Sequence, residues 1–113
     1  MGAGVIGGDL DRRVQFRRAT LVDDGFTRAE QWADHGAPVW ASRRDVSDRE
    51  RMAAMEVAAM ITTRFQVRFS TFTAGITPKD RLTCEGVEYD ITGIKEIGRR
   101  QGFEITANAR ADQ

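Results

Sequence analysis

One pattern limits this chain more than any other. Short runs of alternating apolar and polar residues, separated by turn signals, fill it from end to end, and they are interrupted once. The clearest run is residues 63–70, where Phe65, Val67 and Phe69 alternate with Arg64, Gln66 and Arg68. Alternation of period two gives a strand one face toward a core and one toward water. Val14 and Phe16 alternate with Arg13, Gln15 and Arg17 in the same way, as do Val87, Tyr89 and Ile91 with Glu88 and Asp90. Phe103, Ile105 and Ala107 form a last run, and Ile94 and Ile97 continue the sheet past Gly93, where a bulge is expected. Trp32 anchors a strand over residues 28–33 and Trp40 one that opens after Pro38; two tryptophans so close predict a core seam. Asp23-Asp24-Gly25 and Glu85-Gly86 are tight-turn signals, residues 99–102 read as a further hairpin loop, and residues 73–78 read as a turn-rich connection. About six or seven short strands, with turns every ~8–12 residues, describe a mainly β fold, a small barrel or sandwich.

The interruption is residues 47–61. Ser47 followed by Glu50 makes a capping box, and Asp48 and Glu50 suit the positive end of a helix dipole. From Met52 onward the only charge is Glu56; with Arg49 it forms a narrow polar stripe against a wide apolar arc that includes Ala53, Val57, Met60 and Ile61. The sequence therefore predicts one α-helix inserted among the strands. Its stripe is too thin for a helix backed by water, so cover on two sides is expected, from its own barrel and from a neighbouring subunit.

Composition excludes several classes. The chain has 113 residues, enough for one domain, and its 17 Lys+Arg balance 17 Asp+Glu. Zero net charge argues against a dedicated nucleic-acid binder or an anionic-membrane binder. No apolar run approaches the ~20 residues of a membrane span, and residues 1–8 lack the features of a signal peptide. Half of those eight residues are glycine, which reads as a flexible arm; the order Gly2, Gly4, Gly7 is an accidental dinucleotide-binding spelling, since no strand precedes it. Residues 9–107 read as the single domain and 108–113 as a loose polar tail. The lone Cys84 makes neither an internal disulfide nor a cysteine-rich metal site, and the lone His35 has no ligand partner at helical or strand spacing. No phosphate loop is present. No catalytic, cofactor-binding or metal-ligating set emerges, and the chain reads as a non-enzyme.

Read in order, these segments resemble those of the phage head–tail joining proteins, also called head-completion or stopper proteins. The stretch Asp9-Leu10-Asp11-Arg12-Arg13-Val14 is similar to the family's opening; Asp23-Asp24-Gly25-Phe26 to its turn; Gln31-Trp32 and Val39-Trp40-Ala41 to its paired tryptophan segments. Ser47-Asp48-Arg49-Glu50 stands where the family has Ser-Gly-Arg-Glu, and Gly86-Val87-Glu88-Tyr89-Asp90-Ile91 completes the order. Arg64 replaces the usual histidine and the closing strand at Ala107 lacks the usual cysteine, which leaves room for a prophage or gene-transfer-agent branch.

The resemblance implies a structural part of a virion or phage-like particle, assembled in the bacterial cytoplasm. It implies a homo-oligomeric ring of six or twelve copies, portal or adaptor proteins above, and tail terminator or tail proteins below. Packaged DNA would pass through the channel without sequence recognition, and no membrane is involved. On this reading Arg43, Arg44, Ser47, Arg49, Glu50, Met52, Met55, Glu56 and Met60 face a neighbour or the channel, Asp23, Asp24 and Phe26 reach toward ring partners, and Arg64 and Arg68 form a basic stripe for acids across an interface. The competing reading is a small-barrel nucleic-acid module with Phe65, Phe69 and Tyr89 facing outward.

Overall fold

The computed structural model describes residues 10–46 and 62–110. The expected helix at 47–61, the glycine-rich arm and the last three residues lie outside the described residues. Seven strands follow in chain order: β1 (Arg12–Asp23), β2 (Arg28–Asp34), β3 (Val39–Asp45), β4 (Thr62–Arg68), β5 (Arg81–Cys84), β6 (Val87–Ile97) and β7 (Gly102–Ala109). A four-residue helix, α1 (Thr71–Ala74), lies between β4 and β5.

All strand pairs are antiparallel, in the order β2-β1-β3-β4-β7-β6-β5. The sheet then returns on itself, because β1 also pairs β5, with Val14 opposite Cys84 and Arg17 opposite Arg81. Six strands thus close a circuit of hydrogen bonds, which leaves no long free edge around it. β2 stands outside the circuit. It pairs only the second half of β1, from Arg17 opposite Asp34 to Asp23 opposite Arg28.

The alternating residues fill the interior. Val14, Phe16, Phe65, Leu82 and Ile105 are essentially inaccessible to water, and Val67, Cys84, Tyr89, Ile91 and Ala107 join them. The Tyr89 ring meets the Phe65 ring edge-on at 5.2 Å, and its hydroxyl is hydrogen-bonded to Thr63. The turn between β5 and β6 has Glu85 and Gly86 both at positive φ, the geometry that matches strand twist in a two-residue hairpin. The bulge expected at Gly93 is present as a register shift between Ile91 and Gly93.

Three expectations change. The connection after β4 holds a helical turn: Ser70 Oγ accepts from Thr73 N–H at 3.0 Å and Ser70 N–H donates to Thr73 Oγ1 at 2.8 Å, a capping box built with threonine where Glu or Gln is usual. β7 runs through Asn108 to Ala109, two residues past its expected end, because both pair across the sheet. The tryptophans do not form a core seam. Val39 and Ala41 point toward the interior, so Trp40 between them points out, and 52% of it is exposed. Each indole is instead covered by an arginine: Arg13 over Trp40 at 4.4 Å and Arg81 over Trp32 at 3.9 Å.

Candidate functional site

The feature that stands out from the closed sheet is the β1–β2 hairpin. Every residue in 20–31 is exposed, on both faces of the two strands. Among them are Leu21 at 68%, Val22, and Phe26 at 93% exposure. A solvated hairpin keeps polar residues on its open faces, and contiguous bare apolar side chains are a common feature of interaction surfaces.

The tip is built to hold its shape. Gly25 takes the positive φ that the turn requires. Gly25 N–H donates to Asp23 Oδ1 at 2.9 Å, while Phe26 and Thr27 N–H both donate to Asp24 Oδ1 at 2.9 and 2.8 Å. Those two backbone donors hold the Asp24 carboxyl below its ordinary pKa, so it is charged at neutral pH. At its base the hairpin is tied down by Trp32 under Arg81, by the Arg17–Asp34 ion pair, and by Arg17 donating to the Trp32 carbonyl at 3.2 Å. Arg81 is in turn held by Asp90, which also takes both bonds of Arg110 at 2.8 and 3.0 Å.

A second surface lies at the junction of β3, β4 and α1. Leu10, Val39, Trp40, Val67, Phe69 and Thr73 line an apolar groove of about 240 Å³. Arg68 lies at its side, and beyond it a shallower depression is bordered by Leu10, Asp11, Trp40 and Arg68.

Residues 7–110 match the family described as phage head completion protein. The chain belongs to that family. Membership places this chain among the structural proteins of phage particles. Its fold is shared with protein SF1141 from Shigella flexneri 2a, at a TM-score of 0.75 and 22% identity over the whole of both chains. It is shared also with a chain from the virion of a native gene transfer agent particle, at a TM-score of 0.64 and 24% identity, covering 90% of this chain and 96% of that one. No curated protein sequence matches it significantly.

The residues picked out from sequence fall into separate groups on this head completion protein. Asp23, Asp24 and Phe26 are together at the hairpin tip. Arg44 and Arg64 stand opposite each other on the outward face of β3 and β4, and Arg68 lies further along the same face beyond Gln66. Arg43 has the other parity: it points inward and is half-buried, within 3.5 Å of Asp45 and 4.0 Å of Glu85. Ser47, Arg49, Glu50, Met52, Met55, Glu56 and Met60 lie outside the described residues. The sequence reading missed Leu21 and Val22, whose adjacency breaks the alternation and so signals a strand with no buried face. It also missed the groove, whose walls come from three elements that only the fold brings together.

The three aromatics of the nucleic-acid reading do not face outward together. Phe65 and Tyr89 are buried, and Phe69 is half-buried and stacked on Phe103 at 5.7 Å. His35 is half-buried against Phe72 at 5.2 Å. Burial, helped by the Glu85 charge, pushes the Cys84 thiol up, so it stays protonated at neutral pH.

Proposed function

We propose that this head completion protein works as a ring-forming connector at the head–tail junction. The ring lies beneath the portal or adaptor proteins, continues the DNA channel, helps to retain packaged DNA and gives the tail its docking surface. The observation that carries this reading is the hydrogen-bonded hairpin with Leu21, Val22 and Phe26 bare to solvent, on a chain whose core is filled by its own side chains. Such a chain offers surfaces for contact. Zero net charge supports it, since a channel wall that grips DNA weakly lets it pass. The gene-transfer-agent likeness adds a particle of the same kind as a setting.

Within that reading, the hairpin tip contacts ring partners, and the segment 43–61, apart from the inward-pointing Arg43, is assigned on its sequence to a neighbour or the channel. Two deletions test the assignment in particles produced with the altered chain. Removing residues 48–60, or replacing the tip 22–27 with a two-residue turn, is expected to yield filled heads that leak DNA and carry no tails, counted by electron microscopy. Intact tailed particles from both deletions would reject the connector role.

A further inference from the structure

The hairpin tip and the apolar groove lie on one chain and match each other. The tip presents an aromatic ring with acidic groups beside it: Phe26 is bare, and Asp24 is charged with one carboxylate oxygen free of the turn's hydrogen bonds. The groove is apolar inside and basic at its margin. Arg68 borders it with no ion pair among the described residues, and Arg13 lies over Trp40; Asp11, the carboxylate among the described lining residues, is within 3.8 Å of Arg12. The tip of a given chain leaves its own groove open, since Phe26 is almost fully exposed. The tip's shape is already fixed by the Asp23 and Asp24 bonds, so little ordering is needed on contact.

Resting on the ring reading above, we propose that Phe26 of one copy inserts into the Leu10–Val39–Trp40–Phe69 groove of the next copy, with Asp24 facing Arg68. The contact joins two different patches, so it is head-to-tail. Repeated with a rotation that closes, it makes a ring. A buried aromatic anchor surrounded by polar groups is the usual centre of such an interface.

Cysteine cross-linking in assembled particles tests the pairing. Thr27→Cys, beside the anchor, and Asp11→Cys, at the groove's border, replace two exposed side chains and leave Phe26 and Trp40 in place, in a Cys84→Ala background. The double variant is expected to give a ladder of covalent oligomers on a non-reducing gel. Each single variant alone gives none, and particles containing both single variants give one heterodimer band. A ladder that stops at dimer means a two-fold exchange and overturns the head-to-tail contact. No cross-link, in particles whose imaging shows several copies at the junction, overturns the pairing and leaves the ring standing; a single copy at the junction overturns both. As a second measurement, Phe26→Ser is expected to weaken association of the purified chain at least tenfold with an unchanged melting temperature. Loss of tail attachment with the ring intact would instead assign the tip to another protein and overturn the proposal.

Discussion

Asp80 is 3% exposed, the one charged residue buried to that degree among the described residues. Burial alone works against its charge. Two bonds from Arg18, both at 2.8 Å, and one from Thr77 N–H at 2.9 Å outweigh that and hold the carboxyl below its usual pKa. Arg18 also donates to the Gly75 carbonyl at 2.9 Å, so one guanidinium fastens the segment after α1 to β1. Removing it strands a buried charge, and Arg18→Ala is expected to cost about 2–4 kcal/mol, read as a shift in urea midpoint with unchanged slope. A depressed folded-state pKa means that the ion pair's stability is complete above the unfolded value of ~3.9 and is lost as pH falls through the folded one. The midpoint of the native chain is therefore expected to drop more steeply between about pH 5 and pH 2 than that of Asp80→Asn. A second residue-scale prediction concerns Gly36. Its φ is +73°, and an added Cβ would lie 2.4 Å from the Phe72 ring, which packs edge-on against Phe16 at 6.0 Å. Gly36→Ala is expected to destabilise by about 1–3 kcal/mol, measured by thermal melting.

At the scale of elements, what could be read from the sequence divides along a physical line. The runs around Phe65, Val87–Ile91 and Phe103 were legible because alternation and turn chemistry are local. The helix expected at 47–61 rests on a change of period, and those residues lie outside the described ones. The tryptophans were misread because parity within one strand says which residues share a face, not which face is inside. That is decided by pairing, and pairing puts Trp40 opposite Arg13. The helical turn at Thr71–Ala74 escaped because four residues cannot show a helical period. Of the candidate site, the acidic turn and Phe26 were legible as a turn; that the turn ends an exposed arm was not, since it depends on β2 having only one neighbour. The arm's fastening gives a third prediction. Trp32→Ala removes the ring beneath Arg81, an interaction of about 0.5–1 kcal/mol, so global stability should change little. Hydrogen exchange of β2 amides should nevertheless accelerate several-fold while β4 and β7 amides keep their protection.

For the whole molecule, the closing pair is the decisive one. β1 and β5 come from distant parts of the chain, and their contact completes the circuit around Phe16, Leu82 and Cys84. Non-local pairing of this kind delays folding, and refolding is expected in roughly milliseconds to seconds by stopped-flow fluorescence. Phe16→Ala removes a fully buried ring at that seam and is expected to cost about 3–5 kcal/mol, enough to unfold a chain of this size or leave it barely folded by circular dichroism.

β1 itself carries one more consequence. Its first half bonds to β3 and β5, and its second half, without a break, is the arm that bonds to β2. From Arg17 to Asp23 it reaches roughly 20 Å beyond the circuit. A load on Phe26 therefore passes along continuous strand backbone into bonds on both sides of β1. The outrigger and the hull are a single beam. Tension along it would strain those bonds in shear, many at once, whereas a loop-mounted arm would give way one bond at a time.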